Sequence, residues 1–273
     1  MERNVLLKQE EIKKELIEML RWLHLFLMKN HIPYSLVGGT LIGSIRHQGF
    51  IPWDDDIDIA VTREFYKKLN SMANVIEKTS GGKYRIVSCE NRTSEFPFIK
   101  LINTHISVNQ VNIKSKSASY LWIDIFPFDM VYDDINKRRR MYRHVHIFRL
   151  LLESSLMDMK NITHISLSTL IKGILHPFTK LYGANRIADK ISKLSQACKI
   201  SEKKLIGGIV WGYGDKETIL LRDFMDTIYV KFEGIDVTVM SCWKEYLSNV
   251  YGDYMNLPPV EKRVAHNIEA WYL

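Results

Sequence analysis

The stretch GGTLIGSIRHQGFIPWDDDIDIAV, residues 38–61, joins a pair of glycines to a dense group of acidic residues. After the glycines and a short amphipathic segment come Asp54, Asp55, Asp56 and Asp58, four aspartates within five residues and flanked by apolar side chains. Carboxylates held this closely repel one another unless a positive charge lies among them. The stretch therefore predicts a cation-dependent site on an ordered part of the chain.

The acidic segment is predicted to begin a buried strand over residues 56–61, DIDIAV. Because alternate side chains of a strand share a face, Asp54, Asp56 and Asp58 would point one way and the isoleucines the other. Mg²⁺ prefers oxygen ligands and usually takes one or two carboxylates together with substrate phosphates. We interpret Asp56 and Asp58 as ligands for Mg²⁺ or Mn²⁺, whereas Asp54 fits a solvated cap equally well.

Two further charged residues interrupt apolar strand patterns. Asp124, in LWIDIFPF, lies between two isoleucines where an unpaired charge would be costly, so we predict it as a third carboxylate of the site. Lys100, in FPFIKLINT, would either balance substrate phosphates or extend to water from an edge strand. Trp122 has the same strand parity as Asp124 and is a candidate for binding a quaternary ammonium, with a core position as the alternative.

The glycine turn is predicted to bind phosphate. Gly38 and Gly39 join the apolar run YSLV to the helical segment TLIGSIRH. Free N–H groups and the helix dipole favour an anion there, and glycine lets it approach closely. Thr40 would cap the helix or donate to a phosphate oxygen. Arg46 would neutralise the same phosphates or serve as a cation at the helix C-terminus.

Composition limits the class of protein. The chain has 273 residues, 46% of them hydrophobic and 25% charged, which is typical of a globular protein with a sizeable core. Its net charge of +7 suits nucleotides, phosphorylated glycans, nucleic acid or an anionic membrane. Three separated cysteines without a CxxC pair argue against a zinc or redox motif. Without a signal-peptide pattern or an apolar run of about 18 residues, we expect a cytoplasmic protein, with peripheral attachment to the inner face of the cell membrane left open.

The order of helical and extended segments predicts an α/β (α+β) fold. We expect a catalytic core over residues 1–135, a helical insertion over 136–205, and a C-terminal segment over 206–273 that returns to the core. The insertion contains two basic, apolar runs, KRRRMYRHVHIFRLLL and HISLSTLIKGILHPFTKLY. These runs would either face an acceptor or an anionic membrane, or form a helical subdomain with one packed face.

Three stretches of the chain resemble the motifs of one family. Residues 38–61 resemble the signature of the LicD family, which includes the fukutin-type ribitol-phosphate transferases, and WIDIFPFD and YGDYMNLPPVEKR resemble its later motifs. The resemblance implies a nucleotidyltransferase-like mixed sheet with flanking helices. It places Asp54, Asp56 and Asp58 at the D-x-D-x-D positions of the family and Asp124 at the aspartate of its second motif.

The same resemblance implies a reaction, the Mg²⁺-dependent transfer of phosphocholine from CDP-choline to a glycan hydroxyl, releasing CMP. The acceptor would be a teichoic acid, capsule or lipopolysaccharide precursor, lipid-linked or free. Transfer of ribitol- or glycerol-phosphate from its CDP conjugate is the nearest alternative, followed by nucleotidyl transfer to a small molecule. A nucleic-acid-binding protein is suggested by the net charge alone, and the group of aspartates argues against it.

Overall fold

The computed structural model of the chain describes residues 6–109, 113–115, 119–159, 166–263 and 268–273. Within these ranges the helices are α1 Gln9–Lys29, α2 Gly38–His47, α3 Arg63–Ser71, α4 Ala73–Thr79, α5 Ile135–Leu156, α6 Leu167–Tyr182, α7 Ala184–Ser195, α8 Leu221–Met225 and α9 Trp243–Tyr251. The strands are β1 Ser35–Leu36, β2 Asp58–Thr62, β3 Tyr84–Val87, β4 Ile99–Asn109, β5 Tyr120–Met130, β6 Leu205–Gly208, β7 Ile219–Leu220, β8 Thr227–Phe232, β9 Ile235–Met240 and β10 Glu269–Tyr272.

A mixed sheet forms the centre of the molecule. Its main path runs β1-β2-β5-β4-β10, with β3 paired to β4 and with β6 and β7 continuing from β5. Strands β2 and β5 pair in parallel, while the other neighbours in the sheet are antiparallel. Strands β8 and β9 form a separate two-stranded sheet. The predicted α+β class, with a mixed sheet and flanking helices, is confirmed.

Helix α1 covers one face of the sheet. Its apolar residues recur every three or four positions, so they form a single stripe along the helix. The buried members of the stripe are Ile12, Leu16, Met19, Leu20, Leu23, Phe26 and Leu27. They pack into one core with alternate side chains of β2, β4 and β5, including Ile59, Leu101 and Ile125. The opposite face of these strands carries both charged and aromatic side chains, among them Lys100, Asp124 and Phe126.

The strand predicted over residues 56–61 begins later than expected. Strand β2 starts at Asp58, because the chain turns at Pro52 and Trp53 and the Asp54 N–H donates to the Ile51 carbonyl oxygen at 2.8 Å. Asp54 and Asp56 therefore precede the strand, and their common orientation does not follow from strand parity.

Helices α5, α6 and α7 lie in sequence between β5 and β6, and the last strand, β10, pairs with β4. The domain boundaries at residues 135 and 205 stay a prediction. A helix that spans a bilayer needs about 20 mostly apolar residues. Within the described ranges, none of the helices is long and apolar enough to span a membrane.

Candidate active site

Three neighbouring strands bring opposite charges together at one level of the sheet. Asp58 of β2 and Lys100 of β4 are both registered against Asp124 of β5. Residues in register on adjacent strands point to the same face, so the three side chains meet. The Lys100 Nζ lies 2.6 Å from Asp124 Oδ1, and Trp122 Nε1 donates to Asp124 Oδ2 at 3.1 Å. Both oxygens of Asp124 are thus bound.

The glycine turn packs directly against the aspartates. A Cβ atom added to Gly38, which has a φ of +60°, would lie 3.1 Å from Asp58 Oδ2. A Cβ atom added to Gly39 would lie 2.5 Å from Asp54 Oδ2, too close for a stable contact. The left-handed backbone therefore favours glycine at Gly38, and a side chain at Gly39 would displace the Asp54 carboxylate from its position.

Thr40 links the turn to the strand. Its Oγ1 accepts a hydrogen bond from the Asp58 N–H at 2.9 Å, and the residue is buried. The geometry gives the Thr40 hydroxyl a structural partner at the start of β2. A direct contact between this hydroxyl and phosphate stays a prediction.

A cavity of about 1010 Å³ opens over this face of the sheet. Nine of the ten residues predicted for the site line it, and Thr40, buried behind the turn, does not. The nine are Gly38, Gly39, Arg46, Asp54, Asp56, Asp58, Lys100, Trp122 and Asp124. The fold thus brings together residues that lie up to 86 positions apart in the sequence.

Burial and mutual repulsion disfavour negative charge on the central carboxylates. Burial raises the pKa of Asp58 well above its ordinary value, and the charges of Asp56, Asp124 and Asp54 raise it further. Burial also raises the pKa of Asp124, although the adjacent Lys100 opposes the shift. An additional cation nearby would stabilise the ionised forms of Asp58 and Asp124.

The residues fit a metal ion that shares its coordination with a substrate. Among the described residues, no three His, Cys, Asp or Glu side chains form a ready-made metal site. Mg²⁺, however, is commonly held by one or two carboxylates together with substrate phosphates. Asp56 and Asp58 both line the cavity and could supply such carboxylates, whereas Asp124 already accepts one hydrogen bond on each oxygen, from Lys100 and Trp122.

Aromatic rings surround the ammonium group of Lys100. Its Nζ lies 4.4 Å from the ring centroid of Trp122, 4.8 Å from that of Phe96 and 5.3 Å from that of Phe98. The ring of Trp211 lies 5.5 Å from that of Phe98. We call Phe96, Phe98, Trp122 and Trp211, all of which line the cavity, the aromatic wall. Because aromatic faces attract cations, this wall favours positive charge next to the aspartates.

The cavity is also lined by residues that the sequence prediction missed. Helix α5 contributes Arg149, whose Nη1 donates to the Gly212 carbonyl oxygen at 3.0 Å and whose guanidinium lies 5.3 Å from the Trp211 ring centroid. Tyr213 and Tyr251 also line the cavity, with their rings 5.0 Å apart. The run IVWGYGDKE is rich in glycine and aromatic residues within a polar region. This was the sequence signal that could have indicated this segment of the cavity lining.

Glu217 is a buried carboxyl group that also lines the cavity. Its oxygens accept hydrogen bonds from the Tyr246 hydroxyl at 2.7 Å and from the Tyr213 N–H at 2.8 Å. Burial raises the pKa of Glu217 to about 7. The cavity therefore contains a second acidic group, separate from the aspartates, that changes its charge near neutral pH.

Arg46 holds the C-terminal loop at the rim of the cavity. Its Nη1 donates to the carbonyl oxygens of Tyr254, at 2.6 Å, and Asn256, at 3.3 Å. Burial and the charge of Arg263 lower the pKa of Arg46. The motif YGDYMNLPPVEKR is thereby placed beside α2. A role for Arg46 in binding phosphate stays a prediction.

A glycine turn, buried carboxylates and a large cavity on one sheet face are together typical of enzymes that act on phosphorylated substrates. Residues 31–154 match the family described as LicD/FKTN/FKRP, nucleotidyltransferase domain. This match confirms a LicD-family domain over residues 31–154, as the motifs predicted.

Similarity to one relative extends over nearly the whole chain. The lipopolysaccharide cholinephosphotransferase LicD of Haemophilus influenzae is 28% identical over 268 residues, covering 94% of this chain and 95% of the relative. An uncharacterized protein of Rickettsia prowazekii is 41% identical over 69 residues, 22% of this chain and 26% of its own. A third, from Rickettsia typhi, is 47% identical over 49 residues, 18% and 16% of the two chains. Family and relative together identify the chain as a phosphotransferase enzyme.

Proposed function

We propose that this enzyme transfers phosphocholine from CDP-choline to a hydroxyl group of a cell-surface glycan of the lipopolysaccharide type, releasing CMP. The observation that carries the proposal is the aromatic wall, whose rings already attract the ammonium group of Lys100 and lie in the same cavity as the glycine turn and the aspartates. A choline head group needs such aromatic faces, whereas ribitol and glycerol carry no charge that would use them. The name of the Haemophilus relative supports the same donor group and acceptor class.

The chain offers partners for each part of the donor. The choline would lie on Trp211 and Phe98, and the diphosphate would lie between the glycine turn and Lys100. Asp56 and Asp58 would hold Mg²⁺ or Mn²⁺, which would neutralise phosphate charge as the leaving group departs. Asp124, bound by Lys100 and Trp122, would hold the lysine in position.

The transfer requires one bond to form and one to break at the same phosphorus. The acceptor hydroxyl oxygen attacks the phosphorus that carries choline, and the bond from that phosphorus to the bridging oxygen breaks. CMP leaves with the bridging oxygen. We propose Asp54 as the base that takes the hydroxyl proton, because it lines the cavity and lies against Gly39 of the glycine turn, where the donor phosphates would bind.

Nucleotidyl transfer is the second candidate, because the matching family is described by a nucleotidyltransferase domain. In that reaction the acceptor attacks the phosphorus next to the nucleoside of a triphosphate, and pyrophosphate leaves. The same aspartates would serve both reactions. The donor and the product distinguish them.

Thermal unfolding with a panel of donors tests the proposal. The panel contains CDP-choline, CDP-ribitol, CDP-glycerol, CMP, ATP and CTP, each with and without Mg²⁺. A ligand at about 100 times its Kd adds roughly 2.7 kcal/mol to the free energy of unfolding, which is a shift of a few degrees for a chain of this size. We expect CDP-choline with Mg²⁺ to give the largest shift, and Asp56→Asn to abolish the metal-dependent part.

A second variant examines the aromatic wall alone. Trp211→Leu should weaken the binding of CDP-choline more than the binding of CMP, because CMP has no choline head group to contact the aromatic wall. The largest shift with ATP or CTP, together with pyrophosphate as product, would establish nucleotidyl transfer instead. A shift for CDP-glycerol equal to that for CDP-choline would contradict the assignment of choline.

A further inference from the structure

Helix α6 exposes its apolar face to solvent. Leu167 is 75% exposed, Ile174 71%, Phe178 70% and Leu181 87%. Together with Leu170 these residues recur at spacings of three and four, so they form one stripe along a helix of 16 residues, about 24 Å long. Thr179 is its only buried residue. A stripe of this kind normally faces a core.

The inward face of α6 is polar and hydrogen-bonded to α5. Ser154 Oγ donates to the Lys172 carbonyl oxygen at 2.7 Å and lies 3.1 Å from Thr179 Oγ1. His176 Nδ1 lies 2.7 Å from the Ser154 carbonyl oxygen. These bonds fix which side of the helix packs inward. The apolar stripe is therefore held outward by specific contacts.

Helix α6 belongs to a group of three helices that is strongly basic in composition. Helices α5, α6 and α7 contain eleven Lys and Arg residues and two acidic residues, so they account for the positive charge of the whole chain. Helix α6 itself contains no acidic residue. At its C-terminal end the exposed Arg186 donates to the Tyr182 carbonyl oxygen at 3.4 Å. Positive charge around an apolar helical stripe is complementary to an anionic lipid surface.

The helix also adjoins the cavity. Lys172 Nζ lies 2.6 Å from Glu153 Oε2, and Glu153 lines the cavity. From these observations we infer that α6 is a membrane-docking helix, which lies in the plane of an anionic bilayer with its apolar stripe in the acyl-chain boundary. Docking in this orientation brings the cavity to within about one helix diameter, roughly 10 Å, of the lipid surface. A lipid-linked acceptor would then reach the cavity without leaving the bilayer.

Vesicle sedimentation tests the inference without donor or acceptor, so its result does not depend on the proposed function. The probes are phosphatidylglycerol-rich vesicles and pure phosphatidylcholine vesicles. Wild-type protein should bind the anionic vesicles, more weakly as ionic strength rises. The variant Ile174→Ser/Phe178→Ser should bind them roughly tenfold more weakly or worse. The matched control is Leu25→Ser/Met28→Ser, which changes two exposed apolar residues of α1 and should bind as wild type does.

A fluorescence measurement reports insertion directly. Vesicles with brominated acyl chains should quench the emission of Ile174→Trp more than that of the wild type, which has six native tryptophans. Attachment by charge alone would quench the two proteins equally and contradict the inference. Equal vesicle binding by wild type and Ile174→Ser/Phe178→Ser would also overturn it. So would a concentration-dependent dimer that this double variant abolishes while neither protein binds vesicles, since that result would assign the stripe to a second copy of the chain.

Discussion

The sheet face beneath the cavity and the outer face of α6 reverse the usual distribution of residues in opposite ways. The sheet buries charge: Lys100 is 4% exposed and forms an ion pair with Asp124. The helix exposes apolar side chains and buries polar ones, as at Thr179. Both arrangements cost free energy in water unless something else binds there. The comparison is consistent with both proposals: a cation and an anionic substrate would offset the cost in the cavity, and an apolar surface would offset it on α6.

The largest expected effect comes from removing charge at the centre of the cavity. Asp58→Asn should lower turnover on the order of 10³-fold, because the metal and phosphate lose a ligand. The same variant should unfold at a higher temperature without ligand, because Asp58 is repelled by its neighbours and disfavoured by burial. CMP release and thermal unfolding measure the two effects.

The matched control is Asp236→Asn, an exposed aspartate paired with Lys231 at 2.9 Å. Its turnover should equal that of the wild type, and its stability should change by about 0.5 kcal/mol or less. If the Asp58→Asn enzyme were fully active, the Asp58 carboxylate would have no role in the reaction. A strongly destabilised one would mean that the carboxylate is structural.

The residues on the sheet face could be predicted from sequence because their chemistry conflicts with their surroundings. An aspartate between isoleucines, or a lysine in FPFIKLINT, is conspicuous in one dimension. Strand pairing then places the two in register. The position of Asp54 could not be derived in this way. Asp54 lies between the turn at Pro52 and Trp53 and the start of β2, so the alternation of side chains along a strand does not apply to it.

The burial of Glu217 in the cavity lining and the orientation of α6 could not be predicted. Glu217 lies in GYGDKETIL, which has the composition of a solvated turn, and only the packing of Tyr246 and the Tyr213 backbone buries it. For α6 the periodicity gives two faces but does not say which one packs. That choice depends on hydrogen bonds from Ser154, a residue of another helix.

The next effect concerns the buried ion pair. Lys100→Met leaves the Asp124 carboxylate buried beside Asp58 without its cation, which should lower the free energy of unfolding by about 3 kcal/mol or more. The double variant Lys100→Met/Asp124→Asn should recover much of this loss, because the uncompensated charge is gone. Denaturant titration of the single and double variants gives the coupling energy.

Lys231→Met provides the comparison on the surface, since Lys231 is 56% exposed and forms its ion pair in solvent. This substitution should change stability by about 1 kcal/mol or less. If Lys100→Met were equally mild, the pair with Asp124 would contribute little, and the aromatic wall alone would position the lysine.

Glu217 should make stability depend on pH. Its pKa is raised from 4.5 to about 7, so the folded protein favours the protonated group. The associated stabilisation is complete below about pH 4.5 and is lost as pH rises through about 7. The free energy of unfolding should fall by on the order of 2 kcal/mol across this interval. Denaturant titrations at several pH values measure the slope.

Glu217→Gln should flatten this part of the profile, whereas Glu245→Gln, exposed on the helix that supplies Tyr246, should leave it unchanged. A profile that stays steep in Glu217→Gln would assign the pH dependence to the aspartates across the cavity. This comparison separates the contribution of Glu217 to the pH dependence of stability from the contribution of the aspartates.

The smallest effect examines the polar side of α6. Ser154→Ala removes the hydroxyl that donates to the Lys172 carbonyl oxygen, but Thr179 keeps its bonds to the carbonyl oxygens of Leu175 and His176. The expected loss is therefore about 1 kcal/mol, one buried hydrogen bond. The control is Ser155→Ala, whose hydroxyl bonds within α5 to the Leu152 carbonyl oxygen. Hydrogen exchange should show faster opening of α6 in Ser154→Ala than in Ser155→Ala. Equal exchange in the two variants would mean that the polar contacts do not fix the orientation of the helix, and that its apolar stripe faces outward for another reason.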